Sequence, residues 1–332
     1  MTGWGSGAGR QQGIPGGPDV LVLGEVLVEL SSLEPLGDGA MLRLGFSGDA
    51  LNVAAAAAAA GAHAALLARV PQDEVGDALV ARVGELGVDT RALIRAPGQH
   101  GLYLTHADPD GERHFVYVRR ASAGSELGVA DLDEQLVASA GVVVASGVAC
   151  AISESAAAAV LWAARRARRF VYDPNYRPRL TTPEAASLAL RRLAPLAEVV
   201  TPSWPAEARA LLGLGESASE TDAIAVLIGY GAANVVLTCG RRGALVASGL
   251  DVTEVPGIPA ERVVDQTGAG DCLTGTVAAR IALGDSLVDA VRLGVAAASL
   301  SVQGQGGTGY LPSLQESRTL AATSRPVLEG RR

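Results

Sequence analysis

Short, continuous apolar runs that alternate with helix-forming stretches are the feature that most constrains this fold. Residues 19–23 (DVLVL), 141–145, 170–173 and 234–238 are such runs, and helical patterns lie between them. A parallel strand has this uninterrupted apolar pattern because helices cover it on both faces. The alternation therefore predicts an α/β fold with a mostly parallel central sheet.

The segment after Asp49 predicts a helix with very small side chains. Residues 51–62 read LNVAAAAAAAGA. Alanine is the best helix former, and its methyl group lets a helix lie close to its neighbours. Residues 269–283 and 287–302 predict the last two helices of the fold.

Two stretches depart from the alternation of strand and helix. Residues 36–46 and 102–119 alternate polar and apolar side chains, and the second contains a turn signal at 108–111. A period of two is typical of antiparallel strands with one solvated face. We expect these strands to form a small β lid over the carboxyl ends of the parallel strands, where open α/β sheets bind ligands.

These patterns divide the chain into a leader, a core, a lid and a tail. The Gly-rich leader has no apolar core of the kind that a signal peptide needs, so we expect it to be disordered. The expected boundaries are 1–18 for the leader, 19–35, 47–97 and 121–315 for the core, 36–46 and 98–120 for the lid, and 316–332 for the tail.

The basic residues are all arginine, because none of the 27 lysine and arginine positions is a lysine. This excludes a P-loop lysine and Schiff-base chemistry, so phosphate has to be held by arginine, backbone N–H groups or metal. A formal net charge of −8 argues against nucleic acid or an anionic membrane as a partner. Three scattered cysteines and the lack of a long apolar run predict a cytoplasmic protein.

The sharpest chemical signal is residues 265–271, which read Asp-Gln-Thr-Gly-Ala-Gly-Asp and precede a helix. Small residues at Gly268, Ala269 and Gly270 let an oxyanion approach the helix N-terminus, where N–H groups and the dipole attract it. Asp271 would then take a proton from a hydroxyl that attacks a bound phosphoryl group. Helix capping explains Asp271 equally well on spacing alone.

A second polar cluster precedes the alanine-rich helix. Gly48 permits close backbone approach, while Asp49 and Asn52 place hydrogen-bonding groups one helical turn apart. This arrangement suits a polyhydroxy ligand. The alternative is a glycine turn in which Asp49 caps the helix and Asn52 makes a structural contact.

Both clusters resemble signatures of the pfkB family of carbohydrate kinases. Residues 265–275 (DQTGAGDCLTG) are similar to the C-terminal pattern D-T-x-G-A-G-D-x-F-x-G, with Leu273 in place of the aromatic residue. Residues 45–54 (GFSGDALNVA) resemble the N-terminal sugar-binding signature, with Ser47 replacing one of two glycines. The resemblance extends from about residue 19 to 311 and implies a ribokinase-like three-layer α/β sandwich with a small β lid.

Within the family, the chain most resembles the 2-keto-3-deoxygluconate kinase branch. Residues 173–180 (DPNYRPRL) are similar to that branch's D-P-N-Y-R-P-x-L-W segment, with Thr181 in place of the tryptophan, and 117–119 (YVR) to its Y-x-R segment. Arginine binds carboxylates through paired hydrogen bonds, although exposed arginines need no ligand. The resemblance implies a sugar or sugar acid as the acceptor, bound by Gly48, Asp49, Asn52, Tyr117, Arg119, Arg177 and Asp271.

The resemblance also implies ATP and Mg²⁺ as cofactors and a homodimer formed through the lid. Glu207 matches the acid of an element that organises Mg²⁺ through water, although serine replaces the usual asparagine at Ser203. Asp265 and Thr267 are positions at which some relatives hold a monovalent cation such as K⁺. The expected nucleotide-binding residues, which include the TCGRRG loop at 238–243, are Asn175, Arg177, Thr238, Gly240, Gly243, Gly268 and Gly270.

The acceptor and the activity leave alternatives. Gln305 stands where the branch carries an aspartate, so a fructokinase- or ribokinase-type kinase of a neutral sugar or nucleoside fits as well. A non-catalytic sugar or nucleotide sensor of the same fold is a further alternative, against which the intact Asp271 argues. A dinucleotide-dependent oxidoreductase ranks last, because no G-x-G-x-x-G follows the first strand.

Overall fold

The computed structural model describes residues 16–32, 34–107, 113–249 and 251–323. The expected turn at 108–111, most of the leader and the end of the tail lie outside the described residues. The strands of the described chain are β1 (Val20–Leu23), β2 (Leu27–Ser32), β3 (Arg43–Ser47), β4 (Ala64–Leu67), β5 (Arg69–Pro71), β6 (Ile94–Ala96), β7 (Leu102–Ala107), β8 (Arg113–Val118), β9 (Val142–Ser146), β10 (Phe170–Asp173), β11 (Val199–Val200), β12 (Asn234–Thr238), β13 (Gly243–Ser248) and β14 (Asp251–Pro256).

Helices fill most of the segments between the strands of the central sheet. Several begin with the expected signals, such as Thr182 as the N-cap of α6 with proline in the first turn. The helices are α1 (Asp49–Ala59), α2 (Glu74–Glu85), α3 (Glu134–Ser139), α4 (Gly147–Ile152), α5 (Glu154–Ala164), α6 (Pro183–Leu193), α7 (Ala206–Leu212), α8 (Glu220–Gly229), α9 (Ala269–Ala282), α10 (Leu287–Ser301) and α11 (Leu314–Thr323).

The central sheet has eight strands in the order β14-β13-β12-β11-β10-β9-β1-β4. The six strands from β12 to β4 in this order are parallel, and β13 and β14 add an antiparallel edge. The parallel order places the carboxyl ends of β1, β9, β10 and β12 along one edge, where ligand sites form in open α/β sheets. The expected α/β class with a mostly parallel sheet is confirmed.

Alternate residues of β1 belong to two separate hydrophobic cores. Leu21 and Leu23 pack in the layer that contains α5 and α8. Val20 and Val22 pack in the opposite layer, against α1 and α9. Burial on both faces explains why the sequence of this strand is apolar throughout, and it confirms the three-layer arrangement.

A separate four-stranded sheet, the lid, has the order β3-β2-β7-β8. Strand β2 pairs parallel with β7, while β3 and β8 pair antiparallel with their neighbours. The expected boundaries placed residues 27–32 in the core, but these residues form the lid strand β2. The cause is local: only Gly24, Glu25 and Val26 separate β2 from β1, a connection too short to indicate from the sequence that the chain leaves the core.

Two further elements differ from the simple pattern. The chain leaves the central sheet after β4, and β5 pairs with β6 in a separate two-stranded sheet. Helix α11 occupies the described part of the expected tail and packs against α10. In the described residues no helix has both the length and the apolarity to cross a bilayer.

Helices α1 and α9 lie in very close contact. A Cβ atom at Gly275 of α9 would fall 2.3 Å from the Val53 carbonyl oxygen of α1. The alanine run of α1 allows this approach because its side chains are methyl groups, most of them fully buried. Gly275 therefore fixes the distance between the two helices that supply Asn52 and Asp271.

We expect Gly275→Ala to destabilise the protein by about 1–3 kcal/mol, because the added methyl group meets backbone that cannot move without separating the helices. Gly229→Ala is the matched control, since it is also helical and no atom lies within 4 Å of the added Cβ. The control should be neutral or stabilising by about 0.5 kcal/mol. Urea unfolding measures both changes, and equal effects would contradict the role of Gly275.

Candidate active site

Asp271 lies in the first turn of α9, where Gly268 is the N-cap, so capping does not explain the carboxylate. Its Oδ2 accepts a hydrogen bond from Asn52 Nδ2 at 2.8 Å, and its Oδ1 accepts one from Asn175 Nδ2 at 3.3 Å. Helix α1, helix α9 and the loop after β10 thus meet at this one side chain. The two amides fix its orientation.

The surroundings of Asp271 favour proton acceptance near neutral pH. Burial raises the pKa of Asp271 to about 6, and the nearby Asp49 carboxyl acts in the same direction. The amides of Asn52 and Asn175 and the charge of Arg177 act in the opposite direction. The side chain is therefore mostly ionised at pH 7, yet basic enough to take a proton from a hydroxyl.

The start of α9 forms a cradle for an anion, made by Gly268, Ala269 and Gly270. Gly268 has φ 80°, and a Cβ there would fall 2.7 Å from Gly307 Cα, so only glycine fits this turn. The space beside Gly270 is open, with no atom within 4 Å of an added Cβ. Within the described chain, no carbonyl accepts from the N–H groups of Gly270 and Asp271, which leaves both available to an anion.

The N-terminus of α1 lies beside this cradle. Gly48 is its N-cap with φ 121°, and a Cβ there would fall 2.8 Å from the Glu25 carbonyl oxygen. Asp49 is the first helical residue and accepts a hydrogen bond from the Ser146 hydroxyl at the end of β9. Burial raises the pKa of Asp49. The structure thus brings Gly48, Asp49 and Asn52 together with Asp271.

The loop after β10 supplies a third wall of the site. Asn175 has φ 40°, an uncommon conformation for a residue other than glycine, and its N–H donates to Asp173 Oδ1 at 3.1 Å. Asp173 also accepts from the Thr274 hydroxyl of α9, and burial raises its pKa well above the ordinary value. Arg177 is exposed, and its charge lowers the pKa values of Asp49, Asp173 and Asp271.

The lid contributes Tyr117 and Arg119. The Arg119 guanidinium lies 4.7 Å from the centre of the Tyr117 ring and forms an ion pair with Glu25. Tyr103 stacks obliquely on Tyr117 and donates its hydroxyl hydrogen to Glu29. Arg119 therefore faces the core, and Tyr117 lies beside it with 40% of its surface exposed.

Glu25 and Glu29 were not expected at the site from the sequence. Glu25 follows the first strand directly, at the edge where α/β sheets bind ligands, and that position was the available signal. Glu29 alternates with apolar neighbours in β2 and faces a cavity of about 400 Å³ bounded by β3, α2 and residues 305–309. Gln305, the residue that departs from the branch pattern, lines the same cavity.

Glu207 accepts hydrogen bonds from backbone N–H groups and lies beside the loop after β10. Its Oε1 accepts from the Tyr176 N–H at 2.5 Å, and its Oε2 accepts from the Ser203 N–H at 2.5 Å and from the Ser203 hydroxyl at 3.0 Å. Both oxygens are thus occupied, which fits an indirect contact with a metal better than direct ligation. No set of three or more metal-binding side chains occurs in the described residues.

The expected nucleotide loop lies two strands away from β10. Thr238 ends β12 and its N–H donates to the Pro202 carbonyl at 2.9 Å, while Gly240 and Gly243 have φ 57° and 97°. A Cβ at Gly243 would fall 2.1 Å from the Val255 carbonyl oxygen, whereas the space beside Gly240 is open. The loop lies at the same edge of the sheet as Asp271 but does not contact it.

Asp265 stabilises the turn that leads into α9. Its Oδ1 accepts from the Thr267 N–H at 3.0 Å, and its Oδ2 accepts from the Gly306 N–H at 2.5 Å. These bonds connect the cradle with the glycine-rich loop at 305–309. They account for the burial of Asp265.

Comparisons with known proteins agree with this architecture. A family model described as pfkB family carbohydrate kinase matches residues 18–314. A 2-dehydro-3-deoxygluconokinase of Thermoproteus tenax is 32% identical over 309 residues, which cover 91% of this chain and 93% of the relative. A protein of the same name from Bacillus subtilis is 30% identical and covers 85% of this chain and 88% of its own length.

A solved structure gives the same result at the level of the fold. The PfkB protein from Polaromonas sp. JS666 superimposes with a TM-score of 0.80 and 28% sequence identity, covering 91% of this chain and 99% of that chain. The family match spans both predicted signatures, the sheet edge between them and the lid. The chain therefore belongs to the pfkB family of carbohydrate kinases.

Proposed function

We propose that this kinase transfers the γ-phosphate of ATP to a hydroxyl of a sugar acid, 2-keto-3-deoxygluconate. The observation that carries the proposal is the position of Asp271, which two amides hold beside a helix N-terminus with free N–H groups. A base and an anion cradle at this separation can act on one hydroxyl and one phosphoryl group.

The residues of the chain divide the chemical work. Asp271 takes the proton of the attacking hydroxyl, and the Gly268–Gly270 cradle stabilises charge on the transferred phosphoryl group. ATP, when bound, supplies that group, and Mg²⁺ screens its charge. The nucleotide would be held by Asn175, Arg177 and the loop with Thr238, Gly240 and Gly243. Glu207 would fix the backbone beside the metal and would in this way orient the water molecules bound to it.

A monovalent cation at Asp265 and Thr267 is a further part of the proposal. Both carboxylate oxygens of Asp265 already accept backbone N–H groups, so a cation there would bind mainly to carbonyl oxygens of the same turns. Its contribution would be to neutralise the buried carboxylate beside the cradle. Assays in potassium chloride and in choline chloride measure this contribution.

Two arginine side chains near the site and the names of the relatives together support a sugar acid as the acceptor. Arg119 and Arg177 approach the site from the lid and from the loop after β10, and each can bind a carboxylate through paired hydrogen bonds. The Thermoproteus tenax and Bacillus subtilis relatives carry the name of a kinase for such an acid. A neutral sugar is the second candidate, because Glu25 already pairs with Arg119 and Gln305 carries no charge.

Asp271→Asn should reduce kcat by about 10²–10⁴-fold, because the amide cannot accept the hydroxyl proton. The same change removes a buried charge whose pKa is about 6 in the fold against 3.8 ordinarily, which should contribute about 3 kcal/mol of stability at pH 7.5. It also leaves one of the two donating amides facing an NH2 group, which costs about 1–3 kcal/mol, so the net change at pH 7.5 should be neutral or stabilising. The charge contribution disappears at about pH 3, where the wild-type carboxyl is protonated in both states, so the variant should be less stable than wild type there. A coupled ADP-release assay and thermal unfolding at both pH values measure these effects.

The wild-type enzyme should lose activity in acid through the same group. Because burial raises the pKa of Asp271 to about 6, its protonation makes kcat/KM fall about tenfold per pH unit below that value. A profile that stays flat from pH 7 to pH 5 would contradict the assignment of Asp271 as the base.

Arg177→Ala should raise KM for the sugar acid by about 10–100-fold, because a charge-assisted hydrogen bond is lost. The acid limb of the pH profile should also move to higher pH, since the charge of Arg177 lowers the pKa of Asp271. Arg192→Ala is the control, an exposed arginine at the far end of α6. Identical KM values for the two variants would argue against Arg177 as an acceptor ligand.

We also propose that the kinase forms a homodimer through the outer face of the lid. This face carries Leu44, Val116 and Val118, which are 51%, 52% and 55% exposed, while Tyr103 on the opposite face is buried. A contiguous exposed apolar sheet face is typical of an interface between subunits. A second copy presents the same face, so a twofold axis would bury both.

Val116→Glu should convert the dimer to a monomer, because it places a charge on the apolar face. Val252→Glu provides the matched control, a similarly exposed valine of β14 far from the lid. Sedimentation equilibrium distinguishes the two masses. A wild-type protein that sediments as a monomer at micromolar concentration would refute the dimer.

A further inference from the structure

The junction between core and lid contains a buried ion pair. Glu25 lies in the three-residue connection between β1 and β2, and Arg119 directly follows β8. Arg119 Nη1 donates to Glu25 Oε1, and the side chains are 11% and 1% exposed. The cation that the lid brings to the acceptor site is thus already paired with an anion of the core.

The second oxygen of this glutamate has no partner. Glu25 Oε2 is buried and accepts no hydrogen bond from the described residues. Gly124 lies directly beside this glutamate, since a Cβ there would fall 3.1 Å from Glu25 Cβ and 3.8 Å from Glu25 Oε2. A carboxylate with one unsatisfied buried oxygen is poorly stabilised as an ion, because half of its hydrogen-bonding capacity is lost.

The charge of Glu25 changes in the neutral pH range. Burial raises the pKa of Glu25 to about 7, against the opposing effect of Arg119. Asp49 is the other charged group that faces it, and its negative charge raises the pKa as well. Arg119 remains a cation throughout this range, as every arginine does.

An acceptor carboxylate would have to share Arg119 with Glu25. While Glu25 is ionised, it neutralises Arg119, so the pair offers little net attraction to a second carboxylate. When Glu25 is protonated, Arg119 has an uncompensated positive charge. Molecules with a neutral Glu25 are then the ones that bind a sugar acid. The apparent affinity of the protein for the acid is therefore proportional to the fraction of such molecules.

We propose that Glu25 is a specificity-determining residue that sets the charge preference of the acceptor site by competing with the acceptor's carboxylate for Arg119. This inference rests on the proposed sugar-acid acceptor. It assigns Glu25 no contact with the reacting atoms. Its effect lies in KM for acids and in the protons that accompany their binding, because a carboxylate on Arg119 favours the neutral form of Glu25.

The first experiment compares wild type with Glu25→Gln at pH 6.5 and pH 8.5, using 2-keto-3-deoxygluconate and fructose as acceptors. The wild-type KM for the acid should rise about 20-fold between the two pH values, as the neutral population of Glu25 falls. The glutamine variant, which has the same shape and no titration, should show less than about a twofold change. KM for fructose should depend little on pH in both proteins.

The second experiment measures proton uptake when the acid binds without ATP. Titration calorimetry at pH 8 in buffers of high and low ionisation enthalpy should give uptake of a substantial fraction of a proton for wild type and near zero for Glu25→Gln. Asp271 is ionised at this pH, and Asp49 is present in both proteins, so the difference reports Glu25. This readout on wild type also stands if the variant fails to fold.

The outcomes separate the two proposals. Phosphorylation of fructose but not of the acid at pH 6.5 would refute the proposed acceptor. Phosphorylation of the acid with the same pH dependence of KM in wild type and Glu25→Gln would leave the acceptor intact and refute the role of Glu25. Absence of proton uptake by wild type would refute it as well.

Discussion

The site depends on the close contact between α1 and α9, because the Asn52 amide can reach the Asp271 carboxylate only at that distance. The contact exists because α1 is built from alanine and α9 carries glycine at its contact point, Gly275. Small side chains bury little apolar area each, so packing of the two helices relies on the length of the shared surface. The hydrogen bond from Asn52 to Asp271 lies at the end of this surface, so the packing of the two helices determines the orientation of the base.

The described arrangement concentrates carboxyl groups at one edge of the sheet. Asp49, Asp173 and Asp271 come from α1, the end of β10 and α9, and burial raises the pKa of each. Burial and mutual repulsion disfavour the ionised form of each of these groups. Since every lysine or arginine position of the chain is arginine, which stays charged, the proton-dependent behaviour of the site rests on carboxyl groups, these three and Glu25.

Much of this architecture could be predicted from local sequence. The uninterrupted apolar runs identified β1, β9, β10 and β12, and the glycine pattern before Asp271 identified the helix N-terminus. The lid strand β2 was missed because three residues separate it from β1, too few for the period of the pattern to change visibly.

The partners of the site residues could not be predicted in the same way. Arg119 and Glu25 are 94 residues apart, and Asn52 and Asp271 are 219 apart, so no local pattern connects them. Glu207 was expected near a metal, yet the backbone that it holds is visible only once β10 and α7 are placed side by side. Motifs identified which residues gather at the edge, and the fold determined which of them pair.

The short connection between β1 and β2 also bears on how this enzyme can be engineered. The chain leaves the core for the lid at Gly24–Val26, returns between β3 and α1, leaves again before β7 and returns after β8. Because four backbone crossings join the lid to the core, the lid cannot be exchanged as one continuous segment. Replacing it with the lid of another kinase would need four junctions in register. Recombination between family members should therefore succeed more readily outside residues 24–122 than within them.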